Sequence, residues 1–97
     1  IALPSDYEMG RPVVIARHQI DTNHHVNNAQ YVEIAREAAG ISGAVGQLHV
    51  DYKKAAVLGD VLYPGISRRG RETTAVLFND RQEVCAAVWM EQMEDER

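Results

Sequence analysis

Residues 21–28 read DTNHHVNN, eight positions that hold an acid, three amides and two histidines around a single apolar side chain, Val26. Asp21, Asn23 and His25 follow one another at spacing two. In an extended segment that spacing sets all three on the same side. A histidine is the natural general base at neutral pH, and an adjacent acid can fix its tautomer. An amide can hold a water or polarise a carbonyl. Directly after the octet the pattern becomes helical, and the backbone N–H groups of a first helical turn have no helical partners and carry partial positive charge. Such donors suit the oxyanion of an acyl group under attack. Acid, amide, base and helix start together make a kit for hydrolysing an ester or thioester with water. The same Asp and Asn residues also suit a plain turn and cap, and that reading stays open at the level of sequence.

Other reactive side chains carry weaker signals. Adjacent His24 and His25 raise a metal site, but neighbouring residues of an extended segment point apart and no third ligand has a telling spacing, so no metal is expected. His18 and His49 fall in strand-like stretches and read as surface or packed residues. Cys85, within EVCAAVWM, has small apolar neighbours and reads as a core or interface thiol, and packing also accounts for Trp89 and Met90.

The elements that must position the octet follow from hydrophobic period. PVVIARHQI is rich in β-branched residues and predicts a first strand over residues 12–19. From Asn28, the residues Tyr31, Ile34, Ala35 and Ala38 recur at helical spacing. Asn27 or Asn28 can cap this helix and Gly40 can stop it. QLHVDYKK alternates, with Leu48, Val50 and Tyr52 on one face, which predicts a half-buried strand. LGD at 58–60 predicts a turn, VLYPGISRRG a strand disturbed by Pro64 and Gly65, and the two apolar runs around NDRQ an antiparallel hairpin. Consecutive strands favour an antiparallel sheet, and one apolar-faced helix must lie against it. The expected class is α+β: a hot-dog arrangement, one long central helix wrapped by about five antiparallel strands. Residues 1–11 read as a lead-in or linker and residues 93–97 as an acidic tail on this single domain.

Composition bounds the function. Ninety-seven residues with 45% hydrophobic and 25% charged residues make one ordinary globular domain. A chain of this size buries roughly 60–65% of its unfolded surface, so it gains from covering an apolar face with a second unit. A net charge of -4 argues against nucleic acid as a partner, which needs a basic excess. No apolar run approaches a membrane span, and a single cysteine fits a reducing compartment, which makes the cytoplasm, or a plastid stroma in a plant-like source, the expected location.

Taken with VDYKKAAVLGD, the run RHQIDTNHHVNNAQYVEIARE resembles the catalytic hot-dog domain of acyl–acyl carrier protein thioesterases, over roughly residues 12–92. The resemblance implies hydrolysis of the phosphopantetheine thioester on acyl carrier protein to a free fatty acid, without metal or organic cofactor. Asn23 and His25 match the family's catalytic amide and histidine, Asp21 the acid of the same motif, and Val26 to Asn28 the main-chain donors. Three departures stand out. Ala55 occupies the position of the usual Glu three residues after the strand tyrosine, with Ala56 next to it, leaving Asp21 as the substitute carboxylate and Glu33 a distant second. Gln19 replaces the first acid of the D-x-D pattern. The family also usually places two hot-dog units in one chain, so this chain, which begins at Ile1, is expected either to be excised from a tandem protein or to pair with its own copy.

Acyl carrier protein is acidic. Lys53 and Lys54, and the knot of Arg68, Arg69 and Arg71, are therefore candidate contacts for it, with ordinary solvated charge as the equal alternative. Two other functions remain open: an acyl-coenzyme A thioesterase of the same fold, and a catalytically silent half that serves dimerisation or acyl binding.

Overall fold

The computed structural model describes residues 2–20 and 25–93. In chain order the elements are β1 (Glu8–Met9), β2 (Val13–Val14), a 3₁₀ turn (Arg17–Gln19), α1 (Asn28–Ala39), β3 (Val45–Tyr52), β4 (Val61–Arg69), β5 (Glu72–Phe78) and β6 (Val84–Gln92). All pairings are antiparallel and the sheet runs β1-β4-β5-β6-β3, with β2 joining β1 on the outer side of β4. One helix lies on one face of this six-stranded sheet. This is the hot-dog arrangement expected from the sequence, with one strand more than expected.

The helix forms where its pattern predicts. Asn27 caps it, its Oδ1 accepting the Ala29 N–H at 2.9 Å. Gly40 ends it at φ +70°, in the left-handed region that a side chain disfavours. Tyr31, Ile34, Ala35 and Ala39 are buried, while Ala38 is half-buried. The Ala39 carbonyl at the last turn accepts from the Arg68 guanidinium of β4.

Register sets what the helix meets. The rows Met90–Thr73–Arg68, Val88–Ala75–Ile66 and Ala86–Leu77–Pro64 cross β6, β5 and β4 on the helix side. Their small and branched side chains form two contiguous buried clusters with α1, one around Tyr31, Ile34, Leu62 and Leu77 and one around Ala35, Ile66, Val88 and Met90. Leu77 pairs with Ala86 but Phe78 pairs with Val84, so Cys85 is the extra residue of a bulge. Its carbonyl accepts the N–H groups of both Lys53 (2.8 Å) and Lys54 (3.1 Å) and fixes the segment that leaves β3.

Two expectations are corrected. Residues 12–19 are a strand only at Val13–Val14. Beyond Ile15, the Gln19 side chain accepts the Ala16 N–H at 2.9 Å and the Gln19 N–H donates to the Ala16 carbonyl, so a local turn outcompetes the ladder. The lead-in is likewise partly structural, since Glu8 and Met9 pair with Ile66 and Gly65. Tyr7 stacks edge-on against Phe78 across Gly65, where an added Cβ would come within 3.1 Å of the Tyr7 ring, so a side chain there would press the ring outward by a few tenths of an ångström. Pro64 sits inside β4 without harm. Its carbonyl accepts the Gly10 N–H, so its missing donor faces the gap between β1 and β2.

Candidate active site

The residues on either side of positions 21–24 are tied together as a closed neck. Ile20 bridges Val26, and the Asn27 N–H donates to the Gln19 carbonyl at 2.9 Å. On the other side, His25 bridges Val57, and the Val26 N–H donates to the Ala56 carbonyl at 2.9 Å. His25 therefore has a backbone fixed on both flanks and an exposed imidazole. Asp21 and Asn23 lie outside the described residues.

These bonds sort the three expected main-chain donors. The N–H groups of Val26 and Asn27 are spent on Ala56 and Gln19, because the chain needs them to close the neck. Neither is available to a ligand as arranged here. Asn28 is the first residue of α1, and its N–H has no partner among the described residues. The donor set of the site contracts to Asn28.

A recess of about 360 Å³ opens at this point, lined by His25, Val26, Asn28, Tyr31, Tyr52, Lys53, Lys54 and Ala55. Its walls are tied together. The Ala56 N–H donates to the Tyr31 hydroxyl at 2.9 Å, and the Tyr52 hydroxyl donates to the Asn28 carbonyl at 3.2 Å. The two tyrosine rings meet at 5.7 Å. In the sequence Tyr31 reads as a member of an apolar face, and Tyr52 as that and as the strand tyrosine from which the Ala55 position is counted. Their spacing from the octet and from Lys53 was the available signal that both border it.

The structure separates the basic residues. Lys53 and Lys54 line the recess, with Lys54 Nζ held 2.8 Å from the Glu83 carboxylate. That ammonium, with help from Asn79, holds the Glu83 carboxyl below the usual glutamate range. Arg68 turns to the helix side to bind the Ala39 carbonyl, whereas Arg69 lines the opposite face of the sheet. By register, the arginine end of β4 lies level with Gln47, five residues from Tyr52 and so roughly 17 Å along the strands from the recess. The two basic groups are not brought together, and Arg68 serves the helix C-terminus. Glu33, the distant carboxylate candidate, is exposed on α1 and does not line the recess.

His18 is exposed in the 3₁₀ turn, not in a strand, and His49 packs edge-on against Trp89 at 5.2 Å. A larger cavity of about 720 Å³ lies on that outer face, between Trp89, His49, Arg69 and residues 2–5, with Trp89 donating to Glu72. The sheet separates it from the recess. Cys85 is buried and its thiol is pushed up by burial, as suits a packed residue rather than a nucleophile.

Burial also raises the Tyr31 phenol, against the opposing pull of the Ala56 N–H. Both groups hold their protons more tightly folded than unfolded. Their contribution to stability is therefore complete below the ordinary values of 9.0 for the thiol and 10.0 for the phenol, and is lost as pH rises through the higher folded values. A melting series from neutral to strongly alkaline pH is expected to fall on the alkaline side. Cys85→Ala should flatten the first part of that fall, and an unchanged slope would rule the thiol out as a cause.

Comparisons with known proteins bear on this geometry. The family model described as acyl-ACP thioesterase C-terminal domain matches residues 8–89. No curated protein matches the chain. Among solved structures, the chain is similar to a thioesterase from Thermus thermophilus, solved with coenzyme A and zinc, at 20% identity and TM-score 0.75, over 94% of this chain and 88% of that one. It is similar to an acyl-ACP thioesterase from Bacteroides thetaiotaomicron at 17% identity and TM-score 0.76, over 96% of this chain but 42% of that one. A hypothetical protein from Aquifex aeolicus matches at 13% identity and TM-score 0.80, over 92% and 98% of the two chains.

Proposed function

Because the chain belongs to the acyl-ACP thioesterase C-terminal domain family, we propose that it hydrolyses fatty acyl thioesters, with the thioester of acyl carrier protein as substrate. The observation that carries the reading is the recess where His25, the Asn28 N–H and the start of α1 converge. His25 takes a proton from water, and Asp21 orients its imidazole. Asn23 positions that water or the carbonyl. The oxygen that becomes negative meets the Asn28 N–H at the positive end of the helix dipole. The acyl chain follows the apolar seam between α1 and the sheet, and Lys53 and Lys54 at the rim are the carrier-protein contacts.

Release of free thiol from acyl–acyl carrier protein and from acyl-coenzyme A tests this reading. Turnover of the carrier-bound substrate above the nucleotide thioester supports it. The reverse preference would make the chain an acyl-coenzyme A thioesterase, and release from neither would make it a silent half.

A second hot-dog unit, either a copy or a tandem half, completes the protein along β3. Among the described residues β3 pairs with β6 alone, leaving an open edge beside Leu48 and Tyr52, which are 45% and 47% exposed although they lie on the helix side. Leu48→Lys is expected to lower the particle mass measured by light scattering, and a mass that the substitution leaves unchanged would move the partner off this edge.

A further inference from the structure

With Ala55 in the recess, the position that resembles the family's glutamate carries only a methyl group. The neighbouring residue shows what polar group stands nearby. The Ala56 N–H donates to the Tyr31 hydroxyl, and the Ala56 carbonyl accepts from Val26. One residue therefore links the phenol to the residue after His25 and to the approach to Asn28. Tyr31 itself is 3% exposed, yet it borders the recess and rests against Tyr52. A phenol oxygen that accepts an N–H keeps its own hydrogen for donation. No acceptor for that hydrogen is found among the described residues.

We infer that Tyr31 is a catalytic hydrogen-bond donor: its hydroxyl donates to the thioester carbonyl oxygen as that oxygen becomes negative, beside the Asn28 N–H. The inference rests on the thioesterase reading of this recess. In the step it assists, water gives a proton to His25 and its oxygen bonds to the carbonyl carbon. The carbonyl π pair moves onto the oxygen, and Tyr31 and Asn28 hold the resulting alkoxide without transferring a proton. When that pair returns, the carbon–sulfur bond breaks, the sulfur leaves with the bonding electrons, and the imidazolium of His25 returns its proton to it. Fatty acid and free thiol result. A neutral donor suits this role better than a carboxylate, which would repel the same charge. Burial, which raises the phenol, keeps it protonated at neutral pH.

Packing explains why the hydroxyl stays in place. Tyr31 stands one turn into α1, with its ring in the buried cluster of Ile34, Leu62 and Leu77. The ring is clamped between that cluster and Tyr52, so its oxygen has little freedom. A preorganised donor of this kind needs no reorganisation as charge develops.

The test is Tyr31→Phe in the full chain, with kcat and KM for thiol release from acyl–acyl carrier protein and acyl-coenzyme A, beside a melting curve. Loss of one oxyanion donor predicts a kcat lowered about 100- to 1,000-fold with KM changed little. The Ala56 N–H also loses its acceptor, so the variant melts lower, and Ile34→Val serves as a destabilised control that keeps the phenol. Site-specific 3,5-difluorotyrosine at position 31 keeps both hydrogen bonds but ionises at lower pH. It should shift the alkaline limb of kcat to lower pH at a temperature where melting curves show both proteins folded across that range, a change that a merely structural hydroxyl would not produce there. An unchanged kcat in Tyr31→Phe, a loss no greater than that of the control, or an unmoved pH profile overturns the inference. If His25→Ala abolishes release while Tyr31→Phe does not, only this inference fails. If the unsubstituted chain releases no thiol, the thioesterase reading fails with it.

Discussion

Replacing His25 by alanine is expected to lower kcat for thioester hydrolysis by about 100- to 10,000-fold, the usual worth of a positioned general base. KM should barely move, because the proton is taken in the transition state and not on binding. Stability should barely move either. The imidazole is exposed, and what holds this segment is backbone: the bridge to Val57, the Val26 bond to Ala56 and the Asn27 bond to Gln19. None of these involves the side chain that is removed. A surface change of this kind typically alters stability by less than about 0.5 kcal/mol. Thiol release measured together with a melting curve separates the outcomes. A variant that melts like its parent and has lost turnover assigns the base to His25, whereas a fully active variant would remove the octet's histidine from the mechanism.

Leu77→Ala should damage the fold severely. Leu77 is fully buried on β5, faces α1, and shares a cluster with Ile15, Tyr31, Ile34, Leu62 and Ala86. Its truncation removes buried hydrocarbon and leaves a void that the sheet cannot close, which costs about 2–5 kcal/mol. A domain of this size has only about 5–15 kcal/mol in total. At about 4–8 °C per kcal/mol, the melting temperature should fall by roughly 8–40 °C. Leu77 also stands at the bulge that carries Cys85, whose carbonyl holds Lys53 and Lys54 in the recess wall. Thiol release should therefore fail at a lower temperature in this variant than in its parent. A fall of less than about 1 kcal/mol in a urea titration would contradict the packing described for this core.

The helix is legible because its signals are local. The stripe from Tyr31 to Ala38, the Asn27 cap and the Gly40 stop all depend on residues within a turn or two of one another. The hairpin of β5 and β6 around NDRQ is legible for the same reason. The first strand reads too long because Val13 and Val14 carry a β signal that the Gln19 side chain overrides a few residues later, a contest between a ladder and a turn that composition does not decide. The second role of the lead-in is hidden as well. That Tyr7 lies over Gly65 depends on a contact spanning more than fifty positions.

The site reads unevenly for a related reason. Residue type and spacing point to His25, and the start of α1 points to a free donor. Which of Val26, Asn27 and Asn28 keeps its N–H depends on Gln19 and Ala56, which approach from two other segments. The arginines appear as one cluster because they are close in sequence, yet alternation along β4 sends Arg68 and Arg69 to opposite faces.

The closed neck has a bearing on how such a site can be re-engineered. Gln19 and Ile20 on one side, and Val26 and Asn27 on the other, are fastened to each other by main-chain atoms. Five positions, 21–25, lie between these ends in the sequence, and His25 is the last of them. Libraries confined to the four before His25 vary the sequence next to it while leaving these main-chain ties in place. Substitutions spread over the flanks would change scaffold and chemistry together.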